Sequence, residues 1–133
     1  MSVEGEDLGR IGTGLVVLLG VHRSDREETA AKLAGKVARL RVFEGREGRM
    51  DRSLLDVGGA ALCISQFTLY GDTRRGLRPS FTDAAEGALA ERLYREFCDQ
   101  LGAHGVPVET GRFAAMMSVS LVNEGPVTLL VEA

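Results

Sequence analysis

Two rhythms of apolar residues run along the chain. "GLVVLLGV" (Gly14 to Val21) is a continuous apolar run, rich in β-branched residues and bounded by glycine. That pattern predicts a strand buried on both faces. The next stretch, "SDREETAAKLAGKVARL", changes to helical spacing, with Ala30, Leu33, Val37 and Leu40 on one stripe. Ser24 and Glu27 have the S-x-x-E spacing of a capping box at its start. Gly35 weakens this helix by about 1 kcal/mol relative to alanine, which fits close packing there. A second helix is predicted where Leu89, Leu93, Phe97 and Leu101 recur every fourth position, capped by Thr82 or Asp83.

The remaining segments read as strands and turns. "RVFEGREGRM" predicts a strand end with a glycine turn, and "SLLDVGGAALCISQFTLY" a strand, a Gly58-Gly59 hairpin and a second strand. "GDTRRGLRPS" is a loop, and "GVPVETG" a short extended piece. In "MMSVSLV", Met117, Val119 and Leu121 alternate with Ser118 and Ser120. "NEGP" turns the chain into a last strand, "VTLLVEA". Two helices and six or so strands make one compact α/β domain with mixed, barrel-like sheets, because hairpins and helical crossovers both occur.

Composition narrows the class. A chain of 133 residues favours one domain and one core. Apolar and charged contents of 44 % and 26 % are ordinary for a globular protein. No stretch approaches the ~18 apolar residues of a membrane span, and "MSVEGEDLGR" has no signal-peptide character. The expectation is therefore a cytoplasmic protein without membrane contact. Cys63 and Cys98 lack a CxxC or histidine partner in sequence, which fits buried thiols in a reducing compartment. His22 and His104 are isolated, so nothing in the sequence supports a metal or another cofactor.

The net charge of −3 argues against nonspecific coating of nucleic acid. Yet 14 of the 16 basic residues are arginines, bunched in "RLRVFEGREGRMDR" and "DTRRGLR". Arginine forks suit phosphate oxygens, although both bunches also hold acids.

"ISQFTLYGD" ends an apolar run with Ser65, Gln66 and Thr68. With period two, Gln66 and Thr68 share one face. Spacing alone leaves open whether that face meets water or a ligand, but the end of a strand is where α/β proteins commonly bind. A Ser or Thr nucleophile needs a base, usually histidine held by a carboxylate. The context is not G-x-S-x-G, so a triad hydrolase is not indicated. Any reaction here would rest on positioning and polarised hydrogen bonds, with proton handling left to substrate or water. Phe113 and Met117, in "TGRFAAMMSVS", fit core packing or an apolar wall beside such a site.

Taken together, "SQFT" (Ser65 to Thr68) and "NEGPVT" (Asn123 to Thr128) closely resemble the two signature motifs of the D-aminoacyl-tRNA deacylases. "TLYGDTRRGLRPSFTDA" and "GVPVETGRFAAMMSVSLVNEGPVTLL" are similar to that family nearly residue for residue, and the likeness runs from Val3 onward. The resemblance implies hydrolysis of the ester joining a D-amino acid, or glycine, to the terminal adenosine of tRNA. It implies a cis Gly125-Pro126 bond, whose turn enters the partner's active site in a homodimer as a chiral gate. Gly125, lacking a Cβ, would bring its carbonyl close to the substrate's α-carbon, so that an L side chain clashes.

By the same resemblance, Ser65, Gln66 and Thr68 line the scissile ester as catalytic residues. Backbone amides near Ser65 and Gln66, with the Thr68 hydroxyl, would orient the amino acid and stabilise the oxyanion. The ribose 2′-hydroxyl would activate water. Asn123 and Thr128 would brace the gate, Phe113 and Met117 line the pocket, and Arg74, Arg75 and Arg78 hold acceptor-stem phosphates. Family members usually begin with one more strand. The expectation is thus a single domain over residues 1–133 with that strand absent. A binding module that grips tRNA ends without turnover and a purely structural dimer are the competing readings. Neither requires both motifs together.

Overall fold

The computed structural model describes Ser2, Val3 and residues 6–133. In chain order the elements are β1 (Ser2–Val3), β2 (Glu6–Asp7), β3 (Gly14–Leu19), α1 (Glu27–Arg39), β4 (Phe43–Glu44), β5 (Met50–Arg52), α2 (Leu54–Val57), β6 (Ala60–Ser65), α3 (Gly87–Ala103) and β7 (Val108–Thr110). The fold is mixed α/β. A parallel sheet of order β3-β6-β7 is accompanied by two antiparallel pairs, β1-β2 and β4-β5.

The apolar run from Gly14 forms β3, which pairs in parallel with β6 from Gly14↔Ala60 to Leu19↔Ser65. Strand β7 flanks the other edge of β6, from Ala61↔Val108 to Cys63↔Thr110. β6 is therefore the central strand, and its two faces enter different packing clusters. Ala61 and Cys63 join Ala34, Ala38, Phe97 and Leu101 of the helices. Leu62 and Ile64 are covered by Leu8, Ile11, Met117 and Val119. A parallel strand covered on both sides is expected to be apolar throughout, as this one is.

Both long helices fall where the apolar stripes predict them, but their starts differ. α1 begins after Arg26, whose backbone N–H donates to Thr29 Oγ1 at 3.2 Å. Ser24 is occupied instead with the His22 ring, 2.8 Å away. Acids Glu27 and Glu28 in the first turn and Lys36 and Arg39 in the last suit the helix dipole. α3 is capped by the Glu86 carboxylate, which accepts from the amides of Ala88 and Leu89 at 3.1 and 2.9 Å. Thr82 and Asp83 lie upstream, and the Asp83 carbonyl accepts from the Arg23 amide.

Two strand expectations are corrected. "SLLDV" is not a strand but one helical turn, α2, because Ser53 and Asp56 cap each other's amides at 3.1 and 2.8 Å. Gly58, at φ +64°, takes the left-handed conformation that ends such a turn, and no hairpin forms there. In the C-terminal segment the alternation holds, with Met117 and Val119 inward and Ser118 and Ser120 outward. Leu121, though, is exposed, and residues 111–133 contribute no named strand to the sheet.

Phe97 is fully buried between the helices and the sheet. Replacing it with alanine removes apolar contact and leaves a cavity, so Phe97→Ala is expected to lose about 3–5 kcal/mol in guanidinium unfolding. A loss under about 1 kcal/mol would place Phe97 outside the core.

Candidate active site

At the carboxyl edge of the parallel sheet, β6 stops laddering at Ser65 and the chain changes course. The Gln66 amide makes a last sheet-like bond to the Leu19 carbonyl at 2.8 Å. Phe67–Tyr70 then coils into a 3₁₀ turn rather than continuing as the strand the alternation suggested. The turn brings Gln66 and Thr68 together, and the Gln66 Nε2 donates to the Thr68 Oγ1. Thr68 and Phe67 are exposed, while Ser65 and Gln66 are half-buried. The first amides of the helical turn, those of Phe67 and Thr68, have no partner within it.

An open cleft of about 390 Å3 lies where the chain leaves β7. Its walls are Thr110, Gly111, Arg112 and Phe113, which follow β7, together with Glu91 and Arg95 of α3 and Leu8. Thr110 pairs with Cys63, so the cleft opens at the same carboxyl edge as Ser65. Phe113 sits against Tyr94 with ring centroids 6.2 Å apart. Met117 packs on Leu62 and Ile64, the opposite face of β6. The structure therefore does not bring Phe113 and Met117 onto one wall within the chain.

The second motif forms a braced, exposed turn. Asn123 Nδ2 donates to Thr128 Oγ1 at 2.9 Å, and the Val127 amide donates to Asn123 Oδ1 at 3.2 Å. Within that bracket the Gly125-Pro126 peptide bond is cis, and Gly125 has φ +119°. A Cβ on Gly125 would meet Val127 Cγ2 at 2.7 Å and the Val127 nitrogen at 3.0 Å. Glycine is thus required twice over, by the dihedral and by the space.

In the loop after the 3₁₀ turn, Arg74 clasps Asp72. Its Nε and Nη2 donate to the two carboxylate oxygens at 3.0 and 2.8 Å, and its own amide donates to Oδ1 at 2.9 Å. Arg75 and Arg78 are exposed and, among the described residues, have no ion-pair partner.

Residues 1–132 match the family described as D-Tyr-tRNA(Tyr) deacylase. The chain belongs to that family. It is 58 % identical to a D-aminoacyl-tRNA deacylase of Symbiobacterium thermophilum, over all of this chain and 88 % of the relative. A D-aminoacyl-tRNA deacylase of Halalkalibacterium halodurans is 56 % identical, again over all of this chain and 91 % of its own length. Among solved structures, a c-Myc DNA unwinding element binding protein superposes with a TM-score of 0.92 at 36 % identity, covering 99 % of this chain and 90 % of that one. A probable eukaryotic D-amino acid tRNA deacylase shares the fold, with a TM-score of 0.61 at 17 % identity over 76 % and 74 % of the two chains.

Among the described residues, this member of the deacylase family holds no triad at the corner. His22, Ser24 and Asp25 are the right residue types, but Asp25 accepts from the His22 backbone amide at 2.8 Å rather than from the ring. The ring nitrogen Nδ1 accepts the Ser24 amide at 3.0 Å, and the ring meets Tyr70 edge-on at 5.4 Å. Cys63 is wholly buried, and its hydrogen bond with Cys98, followed by burial, pushes its thiol far up. The same bond holds the Cys98 thiol below its ordinary value. Among the described residues no group of three His, Cys, Asp or Glu side chains could hold a metal ion. Nor, among those residues, is any helix long and apolar enough to cross a membrane.

Sequence reasoning missed Tyr94. It falls between Leu93 and Phe97 on the apolar stripe of α3, and nothing in the spacing distinguishes it from core. Only the folded chain shows its hydroxyl donating to the Cys63 carbonyl at 2.6 Å.

The Asp72 clasp has a testable pH signature. Hydrogen bonds from the Arg74 side chain and amide bring the Asp72 carboxyl down to about 2, below its ordinary 3.8. A depressed folded-state value means the clasp is fully formed above about pH 4 and is lost as pH falls through about 2. An NMR titration of the Asp72 carboxyl carbon is expected to give a midpoint near 2. A midpoint at the ordinary value would show that the clasp does not persist in solution.

Proposed function

We propose that this chain hydrolyses the ester joining a D-amino acid, or glycine, to the terminal adenosine of tRNA, and rejects L-aminoacyl esters. One observation carries the reading: a polar corner at the carboxyl edge of the sheet, in a chain that belongs to this family. The site of action is the cytoplasm, where tRNA is charged and used.

In this reaction water adds to the ester carbonyl, and the tetrahedral intermediate collapses by expelling the 3′-oxygen of the ribose. That oxygen leaves with a proton, giving free amino acid and tRNA. The neighbouring ribose 2′-hydroxyl activates the water, which suits a corner where the His22 imidazole is engaged by Ser24 and Asp25 accepts from the His22 backbone rather than from the ring. The Gln66 amide is committed to Leu19, so the oxyanion donors are the amides just after it, at Phe67 and Thr68, with the Thr68 hydroxyl. Ser65 and Gln66 orient the amino-acid end. Phe113 lines the pocket from the same chain, and Met117 supports it from behind β6.

Chirality is read by the Asn123–Thr128 turn. With no Cβ on Gly125, its carbonyl can stand against the substrate's α-carbon, where an L side chain would collide with backbone. The turn is exposed, and it is flanked by Leu121, Val122, Leu129 and Leu130, all exposed, with Val122 at 85 % and Leu130 at 80 %. Apolar residues grouped this way favour a protein partner. A second copy of the chain, receiving the turn as a gate in trans, fits that demand. Arg75 and Arg78, with Arg74 after release from Asp72, supply contacts for acceptor-stem phosphates.

The direct test is hydrolysis of D-tyrosyl-tRNA against L-tyrosyl-tRNA by the purified chain without added metal. Release from the D form only is expected. Thr68→Ala is expected to lower kcat on the order of 100-fold, as for loss of one oxyanion donor. Unchanged turnover would limit Thr68 to holding Gln66. No release from either substrate would favour a module that binds tRNA ends without hydrolysis.

Leu130→Glu tests the dimer. It is expected to give a monomer by light scattering and to lose deacylation. A variant that stays dimeric, or a fully active monomer, would remove the trans gate.

A further inference from the structure

We propose that Tyr94 is a positioning residue for the reaction at the Ser65–Thr68 corner, its hydroxyl fixing the point where β6 leaves the sheet. The proposal rests on the deacylase reading of that corner and adds a residue from the helical layer to it.

Three holds act on the end of β6. On the β3 side, pairing continues to Leu19↔Ser65 and the Gln66 amide reaches the Leu19 carbonyl at 2.8 Å. On the β7 side, pairing stops two residues earlier, at Cys63↔Thr110. Among the described residues, that edge of Ser65 therefore has no strand paired to it. The third hold comes from the helical layer, where the Tyr94 hydroxyl donates to the Cys63 carbonyl at 2.6 Å, at the last residue paired on both sides.

Tyr94 is 5 % exposed, so this bond is shielded from competing water. Beyond β7 the chain leads to Phe113, whose ring meets the Tyr94 ring at 6.2 Å. One phenol thus touches the exit of β6 and the strand-to-loop exit of β7, which form the corner and the wall of the cleft. A buried hydroxyl with no bond to make would favour phenylalanine here. The bond it does make ties α3 to the strand two residues before Ser65. Small displacements at such a point matter, since a reacting group misplaced by about 1 Å can cost on the order of 100-fold in rate.

Tyr94→Phe keeps the ring and its packing and removes only the hydroxyl. With D-tyrosyl-tRNA, kcat per folded molecule is expected to fall about tenfold with KM unchanged. Phe97→Leu is the control, since it loosens the same helix one turn on, and the same cluster, while leaving the Tyr94 hydroxyl and its bond to the Cys63 carbonyl in place. It is expected to lower Tm yet leave kcat per folded molecule intact. The second measurement is independent of turnover: amide NMR signals of Gln66, Phe67 and Thr68 are expected to shift in Tyr94→Phe and stay in place in Phe97→Leu.

Unchanged kcat in Tyr94→Phe overturns the proposal, as does an equal loss in both variants. If the wild-type chain does not hydrolyse D-tyrosyl-tRNA, the deacylase reading fails and the amide signals alone decide. Shifts confined to Tyr94→Phe would still support the positioning of the corner, and unmoved signals would overturn it.

Discussion

Everything at the candidate site depends on β6 being the middle strand of a parallel sheet. Being central makes it apolar on both faces from Ala61 to Ile64. It also fixes the corner in register with the ends of two neighbours. Parallel strands present their carboxyl ends on one edge, so the exits of β3, β6 and β7 collect there. That edge is where open α/β sheets bind ligands. A one-residue slip of β6 would exchange Cys63 for Leu62 on the face that packs with Ala34, Ala38 and Phe97, and would turn every side chain of the strand to the other face. The buried register is what places Ser65 at the edge.

Much of this was legible in the sequence, and the failures share a cause. The stripes of α1 and α3 were readable because helix packing imposes a period that the residues must obey. The end of β6 was not, because Gln66, Phe67 and Thr68 alternate as well in a strand as they do in a 3₁₀ turn. Short polar–apolar stretches do not specify their own dihedrals, and the loss of a β7 neighbour decides the matter. "SLLDV" misled for a similar reason: its leucines suit a strand, but the reciprocal Ser53–Asp56 caps win over four residues.

The two motifs differ in how they became visible. "NEGPVT" and "SQFT" are recognised by resemblance. The physics of "NEGPVT" is also local, since Asn123 and Thr128 bond across the turn and Gly125 needs its positive φ. "SQFT" has no such internal logic apart from the Gln66–Thr68 bond, and its placement is borrowed from β3 and α3. This explains why composition and spacing alone left the corner ambiguous and why Tyr94 escaped notice. A hydrogen bond spanning 31 positions leaves no periodic trace.

Charge completes the picture by local rather than net effect. The chain carries −3, which would repel a polyanion at long range. At physiological salt, however, exposed charges are screened over about 8 Å, so a phosphate meets the nearest side chains and not the total. Arg74 is held by Asp72, whereas Arg75 and Arg78 stand exposed on the same loop, which follows directly from the 3₁₀ turn. Some of the acids that balance the sum serve the helices: Glu27 and Glu28 at the start of α1 and Glu86 as the cap of α3. A protein that is acidic overall can therefore still present exposed arginines on one loop, the loop that follows the turn where β6 ends.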